Sequence, residues 1–141
     1  MTSKEFLDRP YHIKKKIRYL EIELDRYSVM MNSIPQPSYG TVRVDKSPTR
    51  ETPNQKALEK YYETKDLIKE KENELMRVKE EILLAIEKVD EPYYKSILTY
   101  KYIEGMTWDE IASKIYVANS TVRKWHKLSL ASFEKANNFC Q

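Results

Sequence analysis

Six polar side chains between residues 120 and 127 are of types that bind nucleic acid: Ser120, Thr121, Arg123, Lys124, His126 and Lys127. An arginine fork can donate two parallel hydrogen bonds to O6 and N7 of guanine, and lysine reaches phosphate or guanine. Hydroxyls near a helix start can bond phosphate or base edges. Between residues 119 and 136 the four cations Arg123, Lys124, Lys127 and Lys135 face one acid, Glu134, a net of +3 within one helix. A solvated basic face is the common meaning of such a run. Its place beside a turn motif is what points to DNA. Val122, Trp125 and Leu128 are expected to face inward, which leaves the six polar residues outward.

The elements that would hold them are legible in residues 107–125, TWDEIASKIYVANSTVRKW, a helix-turn-helix pattern. Ile111 and Ile115 lie one turn apart on a first helix, and Val122 and Trp125 share a face of a second. Val117 sits between them, and the small Ala112 suits the closest approach of two steeply crossing helices. Thr107 and Glu110 make a capping box. Gly105 suits a left-handed residue closing the preceding helix. Asn119 or Ser120 is expected to cap the second helix. Tyr116 stands where such turns usually carry Gly, because the backbone there often has positive φ. A plain helical hairpin without a nucleic-acid role is the competing reading.

The chain as a whole bounds these readings. Its 141 residues fit one domain, or a small domain with an extension. Two glycines, 33% charged residues and long Lys/Glu/Leu-rich stretches predict an all-α protein. The net charge of +3 hides a pattern. Residues 55–91 carry eight basic and eleven acidic side chains, whereas residues 92–141 carry seven and four. The basic excess thus falls where DNA would be. No apolar run is long enough to span a membrane. MTSKEFLDRP lacks the apolar core of a secretory signal, and Cys140 is the single cysteine, so a reducing cytoplasm is the expected location. His12 and His126 have no matched carboxylate and nucleophile. Two glycines cannot build a phosphate loop, and one Cys with two His gives no zinc spacing. No enzyme activity, metal or cofactor is expected.

A first helix is expected to start near Asp8, with Pro10 in its first turn. Ile13, Ile17, Leu20, Leu24, Tyr27 and Met31 follow at alternating spacings of four and three, a coiled-coil seam. Lys14, Lys15, Lys16 and Arg18 read as a solvated flank of that seam, with DNA phosphates as the alternative. Residues 32–54 hold Pro35, Pro37, Pro48, Pro53 and Gly40 and predict a linker, in which the run 41–44 could pair as a strand. A second helix is expected from Gln55 to Val89, about 50 Å long at 1.5 Å per residue. Its seam reads Leu58, Tyr61, Ile68, Leu75, Ile82 and Val89, with Lys65, Glu72 and Lys79 at alternate positions. Met76, Val78, Leu83 and Ile86 would widen it. The first helix is expected to fold back antiparallel on the second, with pairing between chains as the competing arrangement. Glu91 to Glu104 predicts a further helix that completes a three-helix unit, its tyrosines Tyr94, Tyr100 and Tyr102 serving as packing residues.

The stretch YKSILTYKYIEGMTWDEIASKIYVANSTVRKWHKLSL resembles region four of bacterial sigma factors, the part that reads the promoter −35 element. It is more closely similar to phage-encoded regulators of the ArpU and RinA type, and to a related family of uncharacterised phage proteins, which place a helical extension before a region-four-like C-terminus. Tyr102, Ile103, Glu104 and Gly105 match the family's helix end. Trp108, Glu110, Ile111 and Ala112 match its first motif helix, and Val122 and His126 its recognition helix. The chain departs from the family at Tyr116, and at Lys101 where Arg is frequent. The likeness to the phage family extends to the N-terminal part with its DKSPT loop. The resemblance implies an activator of phage or prophage genes, late genes in particular, in a Gram-positive host.

Three readings follow. The first is a sequence-specific DNA-binding transcription regulator with residues 1–90 as a helical coiled-coil region and 91–141 as the DNA-binding domain. It would bind double-stranded DNA, with host RNA polymerase as a second partner, and self-associate as a dimer. The second is a DNA-packaging subunit of the small terminase kind. The third is an interaction module that binds polymerase without reading DNA.

Overall fold

Thr2 and Glu5 open the first helix. In the computed structural model the Thr2 hydroxyl accepts the Glu5 N–H at 3.2 Å, and the Thr2 N–H donates to the Glu5 carboxylate at 3.1 Å. This reciprocal pair satisfies two amides that a helix start leaves free. The structure describes residues 1–32 and 53–139. Among these, the elements are α1 (Ser3–Asn32), α2 (Pro53–Ile86), α3 (Pro92–Leu98), a π-helical turn (Thr99–Ile103), α4 (Trp108–Ile115) and α5 (Asn119–Ala136). The protein is all-α, as its composition predicts.

The start at Ser3 corrects the expected start near Asp8, because the Thr-x-x-Glu box lies upstream of it. Pro10 is therefore inside α1 rather than in its first turn. A proline there leaves the carbonyl four residues back without its donor. That carbonyl belongs to Phe6, and the Arg9 Nε donates to it at 3.0 Å. The same guanidinium lies 4.2 Å from the Phe6 ring centroid and 3.3 Å from the Glu81 carboxylate.

Most of the linker expected over 32–54 lies outside the described residues, as do the run 41–44 and Cys140. Its two ends are helical: Asn32 closes α1 and Pro53 opens α2, where a first-turn proline loses no hydrogen bond. Helix α2 ends at Ile86, short of the expected Val89, which is nevertheless buried in the turn that follows.

The chain forms two compact units, one of residues 16–71 and one of residues 1–15 with 72–141. The first turns of α1 and the last turns of α2 fall in the same unit as the C-terminal helices. Helix α1 packs against α2 within the chain. In the 16–71 unit the inner residues are Ile17 and Leu20 from α1 and Ala57, Thr64 and Ile68 from α2, with Leu24, Tyr27, Met31 and Tyr61 half-buried. Leu58, Lys65 and Glu72 are exposed, which corrects part of the expected α2 seam. Ile68, Ile82 and Val89 of the expected seam are buried, and Tyr61 and Leu75 half-buried; only its other line moves, one residue earlier, to Ala57, Thr64 and Val78, because two of these are small or polar and carry little hydrophobic signal. Met76 and Leu83 are exposed, while Val78 and Ile86, placed in the same stripe, are buried.

In the other unit Ile97, Ile111, Ala112 and Val122 form a buried cluster, with Tyr100, Met106, Trp108, Ile115, Val117 and Trp125 packed around it. Phe6 of α1 meets Phe133 and Phe139, with ring centroids 6.0 and 5.3 Å away. Ser3 donates to the Glu134 carboxylate beside them. Helix α3 starts where Glu91 accepts the Tyr93 N–H at 3.3 Å and Pro92 takes the first position. The single helix expected from Glu91 to Glu104 ends in a π turn instead. There the Glu104 N–H donates to the Thr99 carbonyl, five residues back, at 3.0 Å. Gly105, at φ 68°, closes it in the left-handed region.

Candidate nucleic-acid interface

Thr107 caps α4 by accepting the Glu110 N–H at 3.2 Å, the Thr half of the expected capping box. Tyr116 ends the helix at φ 59° and ψ 43°, the left-handed conformation that its place in the turn calls for. The Val117 N–H then donates to the Ala112 carbonyl at 3.1 Å, which tucks the turn back onto the helix. Helix α5 begins at Asn119 with Ala118 as its cap, and no side chain caps it. This corrects the expected cap at Asn119 or Ser120. The Asn119 amide is used elsewhere, donating to the Asp109 carboxylate in the first turn of α4. The starts of the two helices are thereby tied together.

Helix α5 is split lengthwise. Val122, Ser129 and Phe133 are fully buried, and the Ser129 hydroxyl donates to the Trp125 carbonyl at 2.7 Å. Trp125 packs on the cluster but is only half-buried, its ring 5.4 Å from that of Tyr93. Ser120, Arg123, Lys124 and Lys127 are exposed together on the far side, and Thr121 is half-buried at the edge. Leu128, expected inside, is 45% exposed. It stands six residues after Val122, about 120° away around the helix, and Ser129 takes the inner position.

His126, expected outward with the cations, points inward. It follows Val122 by four residues and so shares the buried face. Its Nε2 lies 2.7 Å from the Tyr102 hydroxyl, and its ring is 4.7 Å from that of Trp108. Burial, with Lys101 and Lys4 nearby, pulls the imidazole down to about 4. It is neutral near pH 7, so it brings no positive charge to the outer face. Burial raises Tyr102 as well, so both partners are uncharged. Lys101, for its part, holds its ammonium 4.3 Å from the Trp108 ring centroid, a cation–π contact.

A second feature adjoins the start of α4. A groove of about 400 Å³ runs between the first turns of α1 and the 101–107 segment, lined by Lys14, Lys101, His12, Asp8 and Thr107 among others. The sequence marked Lys14 as a coiled-coil flank and Lys101 only as a family departure. Nothing local signals that they line one groove. Among the described residues, no group of three His, Cys, Asp or Glu is placed to hold a metal ion.

A family model described as "Protein of unknown function (DUF1492)" matches residues 34–134. The chain belongs to the DUF1492 family. In this DUF1492 member the matched stretch contains α2, α3, α4 and all but the end of α5, so the complete helix-turn-helix lies within it. No curated protein and no solved structure matches the chain. What the DUF1492 member presents chemically is a set of donors on one helical face: two ammoniums, a guanidinium and a hydroxyl. A helix buried along its opposite side holds them.

Proposed function

We propose that this protein is a sequence-specific DNA-binding transcription regulator that lays α5 in the major groove. The observation that carries the reading is the lengthwise split of α5. Val122, Ser129 and Phe133 anchor it, Asn119 ties its start to α4, and Ser120, Arg123, Lys124 and Lys127 are left exposed. Arg123 fits the bidentate contact to guanine, and Lys124 and Lys127 fit phosphate or guanine. Ser120 and Thr121, at the start of the helix, fit phosphate or base edges. His126 has a different part in this reading: as a neutral group between Tyr102 and Trp108 it sets the position of α5.

The resemblance to sigma region four and to the ArpU and RinA type supports an activator of phage or prophage genes, acting in the bacterial cytoplasm with host RNA polymerase as a second partner. Among the described residues, no helix is long and apolar enough to cross a membrane. A single helix buries too little surface for tight specific binding, so pairing two copies would supply the missing affinity. The 16–71 unit offers a surface for that. Its α1 half exposes Tyr19, Ile22 and Val29, at spacings of three and seven, outside the seam already used against α2.

Footprinting of the full chain on phage or prophage DNA, with and without polymerase, tests the reading. Protected sites are expected, and Arg123→Ala should weaken binding by about 1–3 kcal/mol and relax the preference at one base pair. A folded Arg123/Lys124/Lys127 triple alanine variant that binds as the parent does would overturn it.

A further inference from the structure

We infer that the groove between the first turns of α1 and the 101–107 segment is a seat for the DNA phosphate backbone, so that α1 grips the duplex beside α5. This rests on the DNA-binding reading and extends it to an element outside the matched family stretch.

The first argument is position. In helix-turn-helix docking the second helix enters the major groove while the first crosses the backbone. Here the start of α4 is joined to the start of α5 through Asn119 and Asp109, and Trp108 rests on His126 further along α5. Thr107, the cap of α4, lines the groove. The groove therefore borders the flank of α5 where the phosphates beside the major groove would pass.

The second argument is charge. Lys14 and Lys101 line the groove from opposite walls, one from α1 and one from the π turn. Both are held in place. The Lys14 Nζ donates to the Ile103 carbonyl at 3.3 Å, and the Lys101 Nζ sits over the Trp108 ring at 4.3 Å. Lys4 and Lys79 add to the field, Lys4 through its effect on His126 and Lys79 through its effect on Lys14. Against these four cations stand Asp8 on the groove wall and Glu104 near Lys14. Among the described residues none of the four lysines is in an ion pair. Burial and the neighbouring Lys79 hold the Lys14 ammonium below its ordinary value, a crowding that an arriving phosphate would relieve. Two fixed ammoniums with unused donors suit an anion that carries several acceptor oxygens.

The test measures affinity of the full chain for its footprinted duplex across a range of salt concentrations. Each phosphate that the protein ceases to neutralise should lower the slope of log affinity against log salt by about 0.9. A Lys14→Gln/Lys101→Gln variant is expected to flatten the slope by about 1.8, as for two phosphates, to shorten the footprint at one edge and to keep its base preference. An unchanged slope and footprint in a folded variant overturns the inference. Lysine acetylation of the unaltered protein gives a second readout that does not depend on the variant folding. DNA should protect Lys14 and Lys101 as it protects Lys127, and equal labelling with and without DNA overturns the inference. Loss of polymerase binding with the DNA slope intact would assign the groove to an acidic protein segment instead. If the unaltered chain binds no duplex, the DNA-binding reading fails with it. If it binds through Arg123 while Lys14 and Lys101 stay unprotected, only the groove assignment fails.

Discussion

The Tyr102 hydroxyl lies 2.7 Å from Nε2 of His126 and joins the π turn to α5. The imidazole is held at about 4 by burial, against an ordinary value of 6.5. Between these values the unfolded chain binds a proton that the folded chain refuses. The contribution to stability is therefore complete above about pH 6.5 and is lost as pH falls through about 4. With allowance for partial solvent exposure the loss is about 1–2 kcal/mol. Urea denaturation at pH 7.5 and 4.5 should show this loss in the parent and a smaller one in His126→Gln. Parallel losses in both would place the acid sensitivity elsewhere.

Tyr116 adopts φ 59° with its side chain 93% exposed. A left-handed backbone costs a non-glycine residue about 1–2 kcal/mol, and an exposed ring recovers little of that by burial. Tyr116→Gly should raise stability by about 0.5–1 kcal/mol, less than the full strain because glycine loosens the unfolded chain. Tyr116→Val should lower it. Denaturant midpoints of the three proteins decide the matter, and a destabilised glycine variant would show that the ring contributes more than its exposure suggests.

Arg9 is tied to Pro10 through the Phe6 carbonyl, which the proline strands and the guanidinium satisfies. Pro10→Ala returns a backbone donor to that carbonyl, so Arg9→Ala should cost less in its presence. A double-mutant cycle should give a coupling of about 0.5–1.5 kcal/mol, the worth of one hydrogen bond. Additive effects would mean that Arg9 acts only through the Phe6 ring and Glu81.

The exposed stripe on α1 predicts self-association. Light scattering of the full chain at micromolar concentration should give a dimer, and an Ile22→Lys/Val29→Lys variant a monomer. Stability should change little, since such surface substitutions cost within about 0.5 kcal/mol each. A parent that is already monomeric would remove the dimer from the functional reading.

Several features that depend on residues within about one turn of each other are legible in the sequence, although the Thr2–Glu5 box and the α5 cap are not. The Thr107–Glu110 box, the left-handed Gly105, the Glu91–Pro92 start and the strained place of Tyr116 all stand where local hydrogen bonding and backbone sterics put them. So does the outward set Ser120, Arg123, Lys124 and Lys127, because the helical period counts it off from Val122. His126, expected outward with them, lies four residues after Val122 on the inner face, where the Tyr102 hydroxyl and the Trp108 ring meet it. On α2 the apolar Ile68, Ile82 and Val89 mark the seam, but Ala57 and Thr64 do not, because they are buried by the helix opposite and not by their own hydrophobicity. The union of the first turns of α1 with α5 links Ser3 to Glu134, 131 residues apart. Local hydrogen bonds are written in neighbouring residues, whereas burial depends on whatever distant segment arrives to exclude water. The sequence by itself therefore determined the helical class, the Glu91 and Thr107 caps and the basic face. Tertiary packing decided which polar groups were buried, and which lysines from remote parts of the chain came to line one groove.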